Sequence, residues 1–160
     1  RVVTHGAGQG IALAGSVVVC RWGLGSQEEP EMRTVADVMS AHPHTIGAEQ
    51  SVKRAAEIMR EHAVRHLPVL HGGQLVGLLS DRDVRLIESI SSLDVERVKV
   101  EEAMSPEPYV VEPSTRLAAV VRHMAAHKLG SAIVAVGTKV SGVFTTTDAL
   151  RLLAEKLETE

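Results

Sequence analysis

The segment Gly77-Leu78-Leu79-Ser80-Asp81-Arg82-Asp83 has a second copy, Gly142-Val143-Phe144-Thr145-Thr146-Thr147-Asp148, 65 residues further along the chain. Each copy places a glycine in an apolar run, a hydroxyl residue at the end of that run and an aspartate three residues later. The apolar run predicts a β-strand, and the hydroxyl and the acid predict a helix start, because their side chains can form a capping box. The sequence therefore predicts the same strand-to-helix corner twice.

The match between the two copies extends without a gap from Thr34 onward. Because internal repeats reveal the architecture of a chain, we divide the sequence into an N-terminal extension at 1–33, a first repeat at 34–93 and a second repeat at 94–160. The identical pairs include Val35 and Val100, Met39 and Met104, Ser40 and Ser105, Pro43 and Pro108, Met59 and Met124, His62 and His127, Val69 and Val134, Gly72 and Gly137, Gly77 and Gly142, and Asp83 and Asp148.

Each repeat predicts the order strand, helix, strand, strand and helix. The long helix follows from the spacing of Val52, Ala55, Ala56 and Met59, and the two later strands are short apolar runs joined through glycine. In the first repeat we predict a helical turn at 37–40, a strand at 43–46, a helix starting at Glu49 or Ser51, strands at 66–70 and 75–79, and a helix carrying Val84, Ile87 and Ile90. In the second repeat we predict a helix at 114–128, strands at 132–136 and 140–144, and a helix carrying Ala149, Leu152, Leu153 and Leu157.

The size of one repeat predicts how the two are arranged. A unit of about 60 residues buries too little of its surface to be comfortably stable alone, so the repeats are expected to pack together. We predict an α+β fold in which two βαββα repeats pack their small sheets about a pseudo-two-fold axis and leave clefts between the repeats. The apolar helix faces left over predict a homodimer.

Composition argues for a folded chain and against several classes of partner. Of the 160 residues, 44% are hydrophobic, which is near the globular average. The 17 Lys and Arg against 20 Asp and Glu form no basic run, and aromatic residues are only 2%, so we expect no nucleic-acid partner. No apolar stretch is long enough to span a bilayer, and the single cysteine, Cys20, cannot form an internal disulfide. We therefore predict no membrane segment and a cytoplasmic location.

The two corners also have the chemistry of a nucleotide site. The N–H groups at a helix start attract phosphate, and the Ser80 and Thr145 hydroxyls are placed to donate to its oxygens. The Asp83 and Asp148 carboxylates, one turn on, can accept hydrogen bonds from the two hydroxyls of a ribose. The same residues also satisfy a plain capping box, so each corner taken alone leaves both interpretations open.

A family resemblance favours the nucleotide interpretation. The first repeat, with Ala36-Asp37-Val38-Met39-Ser40, Arg65-His66-Leu67-Pro68-Val69 and the first corner, resembles a cystathionine β-synthase (CBS) domain. Glu102-Ala103-Met104-Ser105, Ser131-Ala132-Ile133-Val134 and the second corner resemble its tandem partner. The resemblance implies a non-catalytic sensor, a Bateman module, that requires no cofactor. It implies a regulatory ligand containing adenosine, either AMP, ADP, ATP or S-adenosylmethionine, and a signal passed to another protein.

The resemblance also implies a role for individual residues. Asp83 and Asp148 are expected to contact ribose, Ser80 and Thr145 to lie near the phosphate or the ribose, and Arg82 to lie on the phosphate side. The implied lining of the adenine pocket is Thr45, Ile46, His66 and Pro68 in the first repeat and Val110, Val111, Ser131 and Ile133 in the second.

Differences between the repeats predict unequal sites. The counterpart of Arg82 is Thr147, and the counterpart of Arg65 is Gly130. Because charged hydrogen bonds to phosphate are strong, we expect the cleft around Asp83 to bind a phosphorylated nucleotide better. The cleft around Asp148 is expected to bind weakly, to bind a less anionic ligand or to stay empty.

Three alternatives compete with the nucleotide sensor. His123 and His127, four residues apart on a predicted helix, and the close pair His42 and His44 are candidate metal ligands. A ligand-free dimerisation scaffold would keep the hydroxyl and the aspartate as helix caps. An enzyme is disfavoured, because no nucleophile and base are matched by spacing.

Overall fold

Each repeat folds in the predicted order of strand, helix, strand, strand and helix. The structure, a computed structural model, describes residues 33–92 and 94–159. Of the extension at 1–33, only Arg33 falls in these ranges, so Cys20 lies outside the described residues. In chain order the elements are a 3-10 helix at Val35–Asp37, β1 at Ser40–Ala41, β2 at Ile46–Gly47, α1 at Val52–Glu61, β3 at His66–His71, β4 at Gln74–Ser80, α2 at Asp81–Ser89, α3 at Val100–Ala103, β5 at Val110–Val111, α4 at Leu117–His127, β6 at Ser131–Val136, β7 at Lys139–Thr145 and α5 at Thr146–Glu158.

The first long helix begins where a side-chain cap is available. Ser51 is extended and its side chain accepts from the Arg54 N–H, so α1 begins at Val52, in agreement with the second of the two predicted starts. The prediction that its copy begins at Ser114 is wrong, because α4 begins at Leu117. There the Leu117 N–H donates to the Arg33 carbonyl oxygen, so a contact with the residue that precedes the first repeat takes the place of a side-chain cap.

The paired strands form two hairpins of the same design. β3 pairs antiparallel with β4, β6 pairs antiparallel with β7, and each pair has a register shift at the same place in its repeat. The first hairpin turns through Gly72 and Gly73, whose φ angles of 56° and 81° are ones that side-chain-bearing residues rarely adopt. β2 and β5 extend these hairpins in parallel, which gives sheets ordered β2-β3-β4 and β1-β7-β6-β5.

The leading segment of the first repeat, residues 34–45, belongs structurally to the second repeat. The helical turn lies at Val35–Asp37 rather than the predicted 37–40, and Ser40 already forms β1, which pairs with β7. Val35 is fully buried in a cluster with Phe144 and Val134. The predicted strand at 43–46 shrinks to Ile46–Gly47, because the preceding residues cross between the repeats instead of joining their own sheet.

The second repeat likewise contributes its leading segment to the first repeat. Its leading segment, residues 99–110, places fully buried Val100 in the core of the first repeat, and Ser105 forms a two-hydrogen-bond bridge with Leu78. The glycine in each corner strand is explained by this crossing. A Cβ atom at Gly77 would lie 2.9 Å from the Ser105 carbonyl oxygen, and one at Gly142 would lie 3.1 Å from that of Ser40.

The two sheets meet through β4 and β7. Ile133, Ala135 and Val143 of the second repeat are buried against Leu75 and Leu78 of the first. The Leu75 N–H also donates to the Thr138 carbonyl oxygen at 3.1 Å. The predicted α+β pair of repeats is therefore confirmed, with an apolar seam between the halves and an exchanged leading segment on each side. In the described ranges, no helix is both long enough and apolar enough to cross a membrane.

Candidate functional site

The two strand-to-helix corners form the same cap. At the first corner the Asp83 Oδ2 atom accepts from the Ser80 N–H at 2.9 Å and from its hydroxyl at 2.5 Å. At the second, the Asp148 Oδ2 atom accepts from the Thr145 N–H at 2.8 Å and from its hydroxyl at 2.7 Å. The capping-box interpretation is therefore confirmed for both corners, and in each one oxygen of the carboxylate is fully engaged.

The two corners differ in the hydrogen bonding of the second carboxylate oxygen, Oδ1. Asp148 Oδ1 accepts from the Arg151 guanidinium at 3.3 Å, and the Asp148 side chain is only 10% exposed. Asp83 is half-buried, and among residues 33–92 and 94–159 its Oδ1 atom has no hydrogen-bond donor. Leu86 stands where Arg151 stands in the other repeat, so the extra contact is absent from the first corner by sequence.

A cleft of about 540 Å³ opens beside the second corner. Three segments line it: residues 40–44 of the leading segment, residues 63–66 between α1 and β3, and residues 145–148 with Val143. We call this space the Asp148 cleft. It lies between the repeats, because two of its walls come from the first repeat and one from the second.

Arg65 lines the Asp148 cleft. The expectation that this cleft lacks the charge of Arg65 is therefore wrong. The sequence comparison assigned Arg65 to the corner of its own repeat, whereas the end of α1 faces the corner of the other repeat. The side chain is exposed, and the described part of the chain offers it no ion-pair partner.

The remaining predicted residues of the first repeat divide between cleft and core. His66 lines the Asp148 cleft and, as the register partner of Ser80, also lies beside the first corner. Ile46 and Pro68 are buried core residues, and Thr45 is half-buried. These three residues are not among those that line the Asp148 cleft, and their proposed adenine contacts stay predictions.

The predicted residues of the second repeat are also mostly buried. Val111 and Ile133 are core residues, and Val110, the register partner of Ile133, is 42% exposed. Ser131 is 5% exposed, and its hydroxyl has no hydrogen-bond partner in the described residues. An unpaired buried hydroxyl is costly unless a ligand or water satisfies it. Ser131 therefore remains a candidate for contact with a bound ligand.

Burial sets the protonation of His66. Loss of solvent lowers the pKa of this imidazole below its usual 6.5, and Arg65 lowers the pKa further. Asp83 and Asp81 act in the opposite direction and raise the pKa, but the effect of burial is the largest. His66 is therefore neutral at neutral pH and offers one donor and one acceptor to its surroundings.

Sequence reasoning missed the role of the other histidines near the cleft. His42 and His44, considered as metal ligands, both line the Asp148 cleft, and the His44 ring stacks on His62 with centroids 3.6 Å apart. His42 has a φ of 52°, an uncommon value for a residue other than glycine, where the chain crosses between the repeats. The crossing is a tertiary feature, and the spacing of the histidines does not reveal it.

The second metal candidate is an aromatic stack. The His123 ring lies between Tyr109 and His127, with centroids 4.2 Å from each. Across the two described ranges, no three His, Cys, Asp or Glu residues are grouped as a metal site would require. Within these ranges, the histidine pairs lack the additional protein ligands of an ordinary zinc site.

An apolar groove of about 410 Å³ runs between α4 and α5. It is lined by residues that include Val121, Met124, Ala149 and Leu150. Further along α5, Leu153 and Leu157 are 51% and 61% exposed. The exposed leucines and the apolar groove beside them make this helix face a candidate interface.

The architecture of two interlocked βαββα repeats with an inter-repeat cleft is that of a tandem CBS-domain protein. The family model "CBS domain" matches residues 35–88 and again residues 100–155. The chain therefore belongs to the CBS-domain family, as the resemblance predicted.

Three similar proteins illustrate the range of the family. The chain is 33% identical over 98 residues to the CBS domain-containing protein YhcV of Bacillus subtilis, covering 61% of this chain and 69% of YhcV. It is 27% identical over 125 residues to hypoxic response protein 1 of Mycobacterium tuberculosis, covering 78% and 87%. The crystal structure of CBSX2 in complex with AMP matches with a TM-score of 0.67 and 29% identity, covering 76% of this chain and 96% of CBSX2.

Proposed function

We propose that this chain is a non-catalytic regulatory module that binds an adenosine-containing ligand between its repeats and passes the binding state to a partner protein. The observation that carries the proposal is the Asp148 cleft, where a capped carboxylate at the start of α5 borders an inter-repeat space of about 540 Å³. Such a volume is in the usual range for small-molecule sites, roughly 300 to 1,000 Å³. CBSX2, similar in fold and 29% identical, has AMP bound in its crystal structure.

The lining of the cleft suits the parts of a nucleoside. Val143, Val64 and Ala63 offer apolar contact to a purine, and the hydroxyls of Thr145, Thr146 and Thr147 offer polar contact to ribose and phosphate. In the first corner, the Asp83 Oδ1 atom is the acceptor through which a ribose would bind. No required cofactor is proposed, and both the cytoplasmic location and the exclusion of nucleic acid stay predictions from composition.

Thermal unfolding of the full chain with AMP, ADP, ATP and S-adenosylmethionine tests the proposal. A ligand at a hundred times its dissociation constant stabilises the fold by about 2.7 kcal/mol, which raises the melting temperature by several degrees. The double variant Asp83→Ala and Asp148→Ala is expected to lose the shift, whereas Glu155→Ala, on the exposed surface of α5, keeps it. Unchanged melting temperatures with every ligand would contradict the proposal.

A second candidate, the homodimer, rests on the exposed leucines of α5. Leu150, Leu153 and Leu157 lie three and four residues apart, so they share one helix face beside the α4–α5 groove. We propose that a second copy covers this face, either with ligand binding or as a scaffold without it. Sedimentation of the wild type and of Leu153→Lys decides: a dimer that dissociates supports the interface, and a wild-type monomer at high concentration contradicts it.

A further inference from the structure

We infer that the Asp148 cleft is the phosphate-selective site of this module and that Arg65 is the residue that holds the phosphate. The inference rests on the proposed function and assigns a ligand class to one of its two clefts. It reverses the ranking predicted from the sequence, in which the cleft around Asp83 was the better site for a phosphorylated nucleotide.

The charges around the Asp148 cleft leave one cation available to pair with a ligand phosphate. Among the residues that the structure describes, its lining contains one permanent cation, Arg65, and one anion, Asp148. The Asp148 carboxylate is already compensated, because it accepts two hydrogen bonds from Thr145 and one from Arg151. The Arg65 guanidinium has no carboxylate partner in the described ranges, so a ligand phosphate would not compete with an existing ion pair.

The histidines add donors without adding negative charge. His42, His44 and His66 line the same cleft as Arg65. A neutral imidazole can donate one hydrogen bond to a phosphate oxygen, and a protonated one adds a positive charge. As far as residues 33–92 and 94–159 show, the cleft surrounds an unpaired guanidinium with donor groups and with a single, compensated carboxylate.

The matched positions of the other repeat have a different balance. The 65-residue offset matches His42 with Glu107, His44 with Tyr109, Arg65 with Gly130, His66 with Ser131 and Thr146 with Asp81. Contacts of the two leading segments support the matching, because Ser105 pairs with Leu78 as Ser40 pairs with Val143.

The matched positions carry more acids relative to their cations. Lys128 and Arg82 are the two cations, against the acids Glu107, Asp81 and Asp83. Asp81 is partly compensated by Arg85, whose Nε atom lies 2.9 Å from it, but Glu107 and Asp83 have no ion-pair partner within the described part of the chain. Because unscreened carboxylates repel phosphate, the cleft around Asp83 suits a neutral or cationic adenosine ligand, such as adenosine or a sulfonium.

Matched substitutions separate the two clefts. Calorimetric titration of Asp83→Ala, in which the Asp148 cleft is the intact site, with AMP and with adenosine measures the contribution of the phosphate. We expect AMP to bind at least tenfold more tightly than adenosine in this background, because a charged hydrogen bond is worth about 1.5 to 3 kcal/mol, or roughly ten- to 150-fold. Adding Arg65→Gly, the residue of the second repeat at that position, is expected to remove this preference and to leave adenosine affinity within about twofold.

The reciprocal substitution is the control. Arg82→Thr, again the residue of the other repeat, is expected to leave the preference for AMP intact in the Asp83→Ala background. Arg65→Gln serves as a second variant that keeps the side-chain length, with thermal unfolding as the check that each variant folds. Loss of the AMP preference in Arg82→Thr but not in Arg65→Gly or Arg65→Gln would overturn the inference.

Two further outcomes distinguish the inference from the proposed function. Equal binding of AMP and adenosine in the Asp83→Ala background would overturn the inference alone. Binding of neither ligand by the wild-type chain would overturn the proposed function and the inference with it. In ring NMR spectra of the eight histidines, AMP is expected to shift His42, His44 and His66 more than His123, which stacks on Tyr109.

Discussion

The two strand-to-helix corners, residues 80–83 and 145–148, have the same hydrogen bonds but different surroundings. In both, a hydroxyl residue caps a helix and an aspartate closes the capping box. Arg65 and three histidines of the first repeat line the cleft beside the second corner. At the matched positions, the second repeat has Glu107, Tyr109 and Gly130. Duplication has therefore kept the local structure of the corner, and the other repeat determines what each corner can bind.

The largest expected effect tests the exchange of leading segments. Val35 and Val100 occupy matched positions, and both are fully buried in the core of the opposite repeat. Val35→Ala and Val100→Ala are each expected to cost about 2 kcal/mol of unfolding free energy, because each removes buried methyl groups and leaves a cavity. Hydrogen exchange then locates the damage: Val35→Ala should speed exchange mainly in β6 and β7, and Val100→Ala mainly in β3 and β4.

A surface valine provides the control for this pair. Val136→Ala, at a side chain that is 65% exposed, is expected to change the unfolding free energy by less than about 0.5 kcal/mol. If Val35→Ala instead loosened its own repeat, the exchange of leading segments would be contradicted. Equal loosening of all four strands would show that the halves unfold as one unit.

A smaller effect compares the two caps without ligand. Asp83→Ala and Asp148→Ala are each expected to lower the unfolding free energy by about 1 kcal/mol, the usual worth of a helix cap. The loss should be greater at Asp148, because this side chain is more buried and also accepts from Arg151. Urea unfolding of the ligand-free chain measures both.

Substitution of each aspartate by asparagine separates the effect of the capping hydrogen bonds on stability from the effect of the negative charge. Asp83→Asn and Asp148→Asn keep an oxygen acceptor for the Ser80 and Thr145 groups, so each should retain part of the stability that the alanine variant loses. An unchanged unfolding free energy in both alanine variants would contradict the stabilising role of the two capping boxes.

Helices and strands that depend on neighbouring residues, through apolar spacing and helix caps, were predicted well from the sequence. The spacing of Val52, Ala55, Ala56 and Met59 defined α1, Ser51 marked its start, and the two corners defined the ends of β4 and β7. Elements without a local signal were placed less well: α4 starts at Leu117 through a hydrogen bond to Arg33, far away in sequence.

The candidate site was predicted only in part, for the same reason. The caps at Asp83 and Asp148 were visible as a motif, whereas the walls of the Asp148 cleft depend on which repeat each leading segment joins. Comparing the repeats position by position assigned Arg65 to its own corner, because a sequence alignment shows which residues correspond and not which residues meet. The glycines at 77 and 142 were a signal of the crossing, since a glycine in the middle of a strand often marks the close approach of another backbone.

The smallest effect concerns His66, which lies beside both corners and has Ser131 as its counterpart. Burial lowers the pKa of His66 in the folded chain, so the unfolded chain binds a proton more readily. Stability is therefore expected to decline as the pH falls below about 6.5, the ordinary histidine value, and to level off below the lowered pKa of the folded state. Asp81 and Asp83 oppose this decline and Arg65 reinforces it, which makes the effect small.

Urea unfolding between pH 7.5 and 5.5 measures the decline in a range above the ordinary carboxyl pKa, and comparison of variants assigns it to one histidine. His66→Ser, which gives the first repeat the residue of the second, is expected to reduce the decline, whereas His127→Gln, at an exposed position on α4, should leave it in place. A decline of equal size in the His66→Ser variant would show that this imidazole is not the buried group responsible. The asymmetry between the corners would then rest on Arg65 and the acids at the matched positions alone.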